Sequence, residues 1–146
     1  MNALLLIDIQ NDYFPGGKME LVGSEPAGEN AARLLSHFRE KELPIFHIQH
    51  LSTRPGSTFF LPNTSGADFH DSVSPLDEER VITKNHPSAF YKTALLFKLR
   101  EEKITSLLIA GMMTHMCIDT TVRAAYDLGF HCSVAHDACA ARNLVF

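Results

Sequence analysis

Five short apolar runs, separated by helix-patterned or irregular stretches, constrain this chain more than any other feature. Ala3-Leu4-Leu5-Leu6-Ile7 is apolar without interruption, the pattern of a strand covered on both faces. Pro44 to Gln49 (with Ile45, Phe46 and Ile48), Val81-Ile82, Ser106 to Met112 and His131 to Ala135 read as four further strands. From about Ala27 to Lys41, residues Ala31, Leu34, Leu35 and Phe38 fall at helical spacing, and Pro44 closes the segment. Thr93 to Glu102 places Leu95, Leu96 and Leu99 on one helical face, with Thr93 as candidate cap. Cys117 to Leu128 carries an apolar stripe of Ile118, Val122 and Ala125. Its opposite side has Asp119, Arg123 and Asp127 spaced for i,i+4 ion pairs, and Gly129 ends it.

Strand and helix therefore alternate, and the strands are short and of the buried type. That order predicts an α/β domain: a three-layer α/β/α arrangement around a mostly parallel, doubly wound sheet with right-handed crossovers. Asn11 to Gly17 is polar and glycine-rich and reads as loop. Positions 50 to 79 hold no steady period. A loop of that length in a compact domain points to a lid or binding loop. The chain ends at Phe146, soon after the fifth strand. One face of that strand then lacks a covering helix, so a C-terminal truncation or a partner subunit is expected there.

Composition narrows the function classes. A chain of 146 residues with 45% hydrophobic and 21% charged residues fits a single globular domain, 1–146, and argues against disorder. The net charge of -4 disfavours nucleic-acid or anionic-membrane binding as its main role. No apolar run approaches the ~20 residues of a membrane span, and Ala3 to Ile7 is too short for a signal-peptide core. Three widely spaced cysteines without CxxC argue against a disulfide framework or structural zinc and favour a reducing, cytoplasmic setting. No GxGxxG, GxxxxGK[ST] or HExxH occurs, which removes the usual nucleotide, phosphate-loop and metalloprotease signatures.

In open α/β sheets, ligands bind beyond the carboxyl ends of the strands. The residues just past the predicted strands are Asp8, the loop at His50, Lys84, the turn from Gly111 to Cys117, and Asp137. Cys117 stands where that turn enters a helix, where the helix dipole and a nearby lysine would favour a thiolate; it equally suits a packed core thiol. Asp8 is either functional or a loop-capping carboxylate. Lys84 alone reads most simply as a solvated lysine. Together the three make the parts of a cysteine hydrolase: nucleophile, proton-transfer carboxylate, and a cation to hold both. Cys132 reads as core, and Cys139 has no partner pattern. His47 and His50 are three apart, which on a strand sends them to opposite faces and argues against a shared metal ion. His86 and His115 lie in rim turns as candidate pocket residues.

Leu4-Leu5-Leu6-Ile7-Asp8-Ile9-Gln10-Asn11-Asp12-Tyr13-Phe14 resembles the opening motif of the isochorismatase-like cysteine hydrolases, the superfamily that includes nicotinamidases. Lys84 with Ser88-Ala89-Phe90 and Thr93-Ala94-Leu95 is similar to its second motif. Gly111-Met112-Met113-Thr114-His115-Met116-Cys117-Ile118, with Thr121, Ala124-Ala125 and Gly129, is similar to its third, and Val134 to Ala140 to the end of the next strand. The resemblance runs through nearly the whole chain in the right order. It implies a catalytic triad of Asp8, Lys84 and Cys117 that cleaves a small carboxamide through a thioester. It also implies an oxyanion hole from the backbone amides of Met113 and Cys117, and a cis peptide before Met113. Phe14, the 50–79 loop, Phe90 and His115 would form the substrate walls. The resemblance further implies no cofactor, a small-molecule substrate and a homo-oligomer. Metal-binding nicotinamidases carry Asp-x-His after the second strand. Here Gln49-His50-Leu51-Ser52 has no aspartate, so no metal of that type is expected. A vinyl-ether hydrolase acting on isochorismate, or a binding protein on the same fold, are the alternatives; some isochorismate-cleaving members lack the cysteine that this chain has.

Overall fold

The computed structural model describes residues 2–144. It contains strands β1 (Asn2–Ile7), β2 (Ile45–His50), β3 (Arg80–Lys84), β4 (Ser106–Met112) and β5 (His131–Ala140), and helices α1 (Ser24–Glu40), α2 (Leu95–Glu101) and α3 (Asp119–Asp127). The strands form one sheet in the order β3-β2-β1-β4-β5, with every neighbouring pair parallel. Alternate residues of a strand face opposite sides of the sheet, and β1 shows what this does. Leu4 and Leu6 join Ala27, Ala31, Leu35 and Phe38 of α1 in one core. Ala3, Leu5 and Ile7 join Leu95 and Leu99 of α2 and Ala125 of α3 in the other. Two cores on two faces of one sheet make the three layers that the uninterrupted apolar run predicts.

Two elements differ from the sequence reading. β5 runs on through His136 and Asp137 to Ala140, with a register irregularity opposite Ile109 to Gly111. It is an edge strand, and none of its first seven residues is buried. The segment after β4 does not enter an α-helix at Cys117. Thr114–Ile118 first forms a wide turn in which Ile118 N donates to Met113 O, and α3 starts at Asp119. Apolar periodicity cannot separate this i→i+5 turn from the α-helix that follows, because the same stripe runs through both. The 50–79 stretch is a loop as expected, with single 3-10 turns at Ser65–Ala67 and Asp71–Val73.

The strand order fixes where a ligand can sit. From β1 the chain steps outward through β2 to β3, then crosses to β4 on the other side of β1. The crevice of such a sheet opens at the carboxyl ends of the two strands where the order reverses. Asp8 follows β1, and the turn holding Cys117 follows β4. Gly111 is what lets these two ends meet. It pairs with Ile7 at φ +133°, and a Cβ there would overlap the Ile7 carbonyl oxygen. Gly111→Ala should therefore lower stability by ~3 kcal/mol or more. Urea unfolding would show this as a reduced midpoint, and an unchanged midpoint would mean that the close approach is not required.

Candidate active site

Asp8, Lys84 and Cys117 arrive from three separate strands and meet. Lys84 Nζ donates to Asp8 Oδ2 at 2.9 Å and to Cys117 Sγ at 3.3 Å. Both side chains of the ion pair are completely buried. Buried charges persist only when paired, and here the lysine and carboxylate supply each other's partner. Asp8 itself sits at φ +54°, a conformation uncommon for a non-glycine residue; its N–H donates to Ile48 O of the neighbouring strand at 3.0 Å. Asp8 Oδ1 is buried and has no hydrogen-bond partner among the described residues, so one acceptor of the carboxylate is left open. The Met112–Met113 peptide is cis.

The sequence reading did not assign His50 a place in this cluster. Its Nδ1 lies 2.7 Å from Lys84 Nζ, closer than either Asp8 or Cys117. One donor atom each from Asp8, His50 and Cys117 lie within 4.8 Å of one another, and Lys84 Nζ bonds to all three residues. The signal lay in register: His50 and Lys84 are direct partners in the β2–β3 ladder. Gln10 fixes the backbone here. Its Oε1 accepts from His50 N at 2.9 Å, and its Nε2 donates to His50 O at 2.9 Å and to Ala67 O at 2.8 Å.

A cavity of about 290 Å³ opens above Cys117. Tyr13, Phe59, Phe60, Met113, Met116 and Pro87 give it apolar walls, while His50, Arg54, Asn85 and His86 add polar groups. The expected contribution of the 50–79 loop is therefore present, as is that of His86. Three expected wall residues lie elsewhere. Phe14 stacks on His70 at 3.6 Å and lines a separate, larger cleft with Lys18, Glu25 and Asp71. Phe90 stacks near Phe130 and faces an outer groove with Tyr91 and Leu96. His115 sits in the turn before Cys117 but does not line the cavity. In a turn this tight, adjacent residues point in different directions, so proximity in sequence misplaced them. Tyr13, Phe59 and Phe60 are the aromatics that line the cavity with Cys117. Asp12 holds the roof: its Oδ2 accepts from Phe60 N at 2.7 Å and its Oδ1 from Lys18 N at 3.2 Å.

Electrostatics correct one expectation. Burial, and then the charge of Asp8, push the Cys117 thiol well above the ordinary range, with Lys84 opposing them only in part. These surroundings favour the protonated sulfur over a thiolate. A turn N-terminus and a lysine suggest an anion only if the adjacent carboxylate and the dry surroundings are left out. Burial, helped by the Asp8 charge, also raises Tyr13 and keeps its phenol neutral. Burial and then the Lys84 charge depress His50 to about 4.

An open parallel α/β sheet with an aspartate, a lysine and a cysteine joined at its switch point defines a class of hydrolase. The isochorismatase domain profile matches residues 2–145, and the chain belongs to the isochorismatase family of hydrolases. It is 54% identical over 142 residues to the isochorismatase family protein YddQ of Bacillus subtilis, covering 97% of this chain and 79% of that protein. Its fold matches the crystal structure of an isochorismatase from Pseudomonas putida with a TM-score of 0.92 at 39% identity, over 99% of this chain and 73% of that one. More distant relatives include a streptothricin hydrolase of Streptomyces noursei, 28% identical over 94% of this chain and 49% of that protein. Nicotinamidase 3 of Arabidopsis thaliana is 26% identical over 97% of this chain and 74% of that protein.

The depressed His50 has a thermodynamic consequence. The unfolded chain binds this proton near pH 6.5 and the folded protein only near pH 4. Stability contributed by His50 is complete above about pH 6.5 and falls as the pH drops toward 4, below which this residue adds no further slope. Burial lowers His47 on the same strand as well, so a difference experiment isolates the residue. Urea unfolding of His50→Asn between pH 6.5 and 4.5 should lose up to about one proton of slope relative to wild type. Parallel curves for the two proteins would contradict the burial assigned to this imidazole.

Proposed function

We propose that this hydrolase cleaves the C–N bond of a small carboxamide by covalent catalysis at Cys117. The observation that carries this reading is the buried Lys84 ammonium, which bonds both the Asp8 carboxylate and the Cys117 sulfur. The Streptomyces and Arabidopsis relatives, named for hydrolysis of streptothricin and for nicotinamidase activity, support it.

The chemistry follows from the resting thiol. A thiol is a weak nucleophile and needs a base as it attacks. The unpartnered Oδ1 of Asp8 accepts the proton while Sγ bonds to the amide carbon. Lys84 offsets the negative charge that shifts from carboxylate to sulfur and on to the substrate. The carbonyl oxygen, now an oxyanion, is met by the N–H groups of Met113 and Cys117; one such donor is worth roughly 2.7–4 kcal/mol in other acyl-transfer sites. Asp8 gives its proton to the leaving nitrogen, and ammonia departs from a thioester. A water then attacks the thioester carbon while Asp8 takes one of its protons. Collapse releases the carboxylic acid, and the thiolate recovers the proton from Asp8. The sum is amide plus water giving acid plus ammonia, and the steps are written with side chains and water alone. A cavity of about 290 Å³, near the lower end of ligand pockets, suits a small substrate with an apolar portion against Tyr13, Phe60 and Met113.

Two variants test the roles. Cys117→Ala should reduce ammonia release from any accepted amide by at least ~10³-fold, and the acyl adduct seen by mass spectrometry of the wild type should vanish. Turnover at the wild-type rate would defeat the proposal. Asp8→Asn should abolish turnover and slow iodoacetamide alkylation of Cys117 near neutral pH, because the carboxylate that takes the thiol proton as the sulfur attacks is removed. If this variant turned over amide or alkylated at the wild-type rate, Asp8 would not be the proton acceptor.

A further inference from the structure

Resting on that reading, we propose that His50 is a positioning residue that holds the Lys84 ammonium toward Asp8 and Cys117. An ammonium has three N–H bonds to place. Asp8 Oδ2 at 2.9 Å, Cys117 Sγ at 3.3 Å and His50 Nδ1 at 2.7 Å take all three. The lysine side chain is completely buried, so water cannot stand in for a missing acceptor. With Nδ1 accepting, the ring hydrogen resides on Nε2, and the imidazole acts as a neutral acceptor. Burial and the Lys84 charge favour that neutral form down to about pH 4.

The surroundings are built to keep this acceptor in place. His50 and Lys84 are direct register partners across β2 and β3. Leu51 N also donates to Lys84 O at 2.9 Å, tying the two backbones just beyond the strand ends. The buried Gln10 amide holds both backbone polar groups of His50, and the ring packs near Phe60 at 5.8 Å. Of the three acceptors, His50 alone plays no part in the bond-making steps. Its bond selects one rotation of the ammonium, so that the other two N–H bonds point at the carboxylate and the sulfur. Without it, an unpaired buried N–H is left, and the lysine regains freedom to turn away.

The experiment compares His50→Leu, which removes the acceptor, with His50→Asn, whose Oδ1 can take the place of Nδ1. Two readouts are followed in folded protein: kcat for an accepted amide, and the pH profile of iodoacetamide alkylation at Cys117, read by peptide mass spectrometry. The other titratable or charged groups facing the sulfur or its cavity (Asp8, Lys84, Tyr13, Arg54 and His86) are unchanged in both variants. His50→Leu should lower kcat roughly 10–100-fold and move the alkylation profile to higher pH, because Lys84 steadies the ionised sulfur less well. His50→Asn should recover most of both. The inference is overturned if the His50→Leu alkylation profile superimposes on that of wild type, or if Asn is as impaired as Leu at equal thermal stability. Alkylation needs no amide substrate, so the positioning role is decided even if no amide is cleaved. Absence of wild-type turnover would count against the amidase reading alone.

Discussion

The buried ion pair between Lys84 and Asp8 is the constraint on which the remainder of this site depends. A carboxylate and an ammonium removed from water are each costly alone, and neither side chain here has measurable exposure. The fold must therefore deliver both, in register, to the same dry point. It does so by placing one at the end of β1 and the other at the end of β3, with β2 between them. That middle strand supplies a third partner in His50. The sulfur of Cys117 is then placed by β4, which lies against β1 only because Gly111 has no side chain. Sheet order, glycine and ion pair are one arrangement seen at three scales.

Much of this was legible in the residues. The apolar run Ala3 to Ile7 announced a strand buried on both faces, and it contributes alternate residues to both cores. Asp8, Lys84 and Cys117 stand out together, each past the end of a different strand and matched in chemistry as carboxylate, cation and nucleophile, and they meet at hydrogen-bonding distance. What resisted reading was direction within turns. Phe14, Phe90 and His115 are close in sequence to the reactive groups, yet they point into other clefts or stay off the cavity wall. Tyr13, one residue before Phe14, faces the cavity in its place. Periodicity assigns faces on helices and strands, where side chains repeat regularly. A 3-10 turn at Asn11–Tyr13 and a wide turn at Thr114–Ile118 have no such repeat.

The protonation of the sulfur escaped for a different reason. Sequence position suggests a turn N-terminus and a lysine, both of which favour an anion. It does not reveal how dry the site is or how near the carboxylate comes, and these outweigh the others. The outcome is a buried sulfur whose surroundings favour its protonated form, beside a paired carboxylate and lysine. His50 was missed because two residues at the ends of adjacent parallel strands look unrelated until the register is known.

The anchoring of the roof by Asp12 bears on how such a protein can diversify. Phe60 is pinned through its backbone to a carboxylate beside β1, and Gln10 ties Ala67 to the strand end. Residues 51–59 span the interval between His50 and Phe60, so both ends of that span are secured to the scaffold. Substitutions along it can reshape the cavity wall while Asp8, Lys84 and Cys117 keep their places. The cavity wall and the buried cluster thus lie on separate pieces of chain, and one can evolve without rebuilding the other.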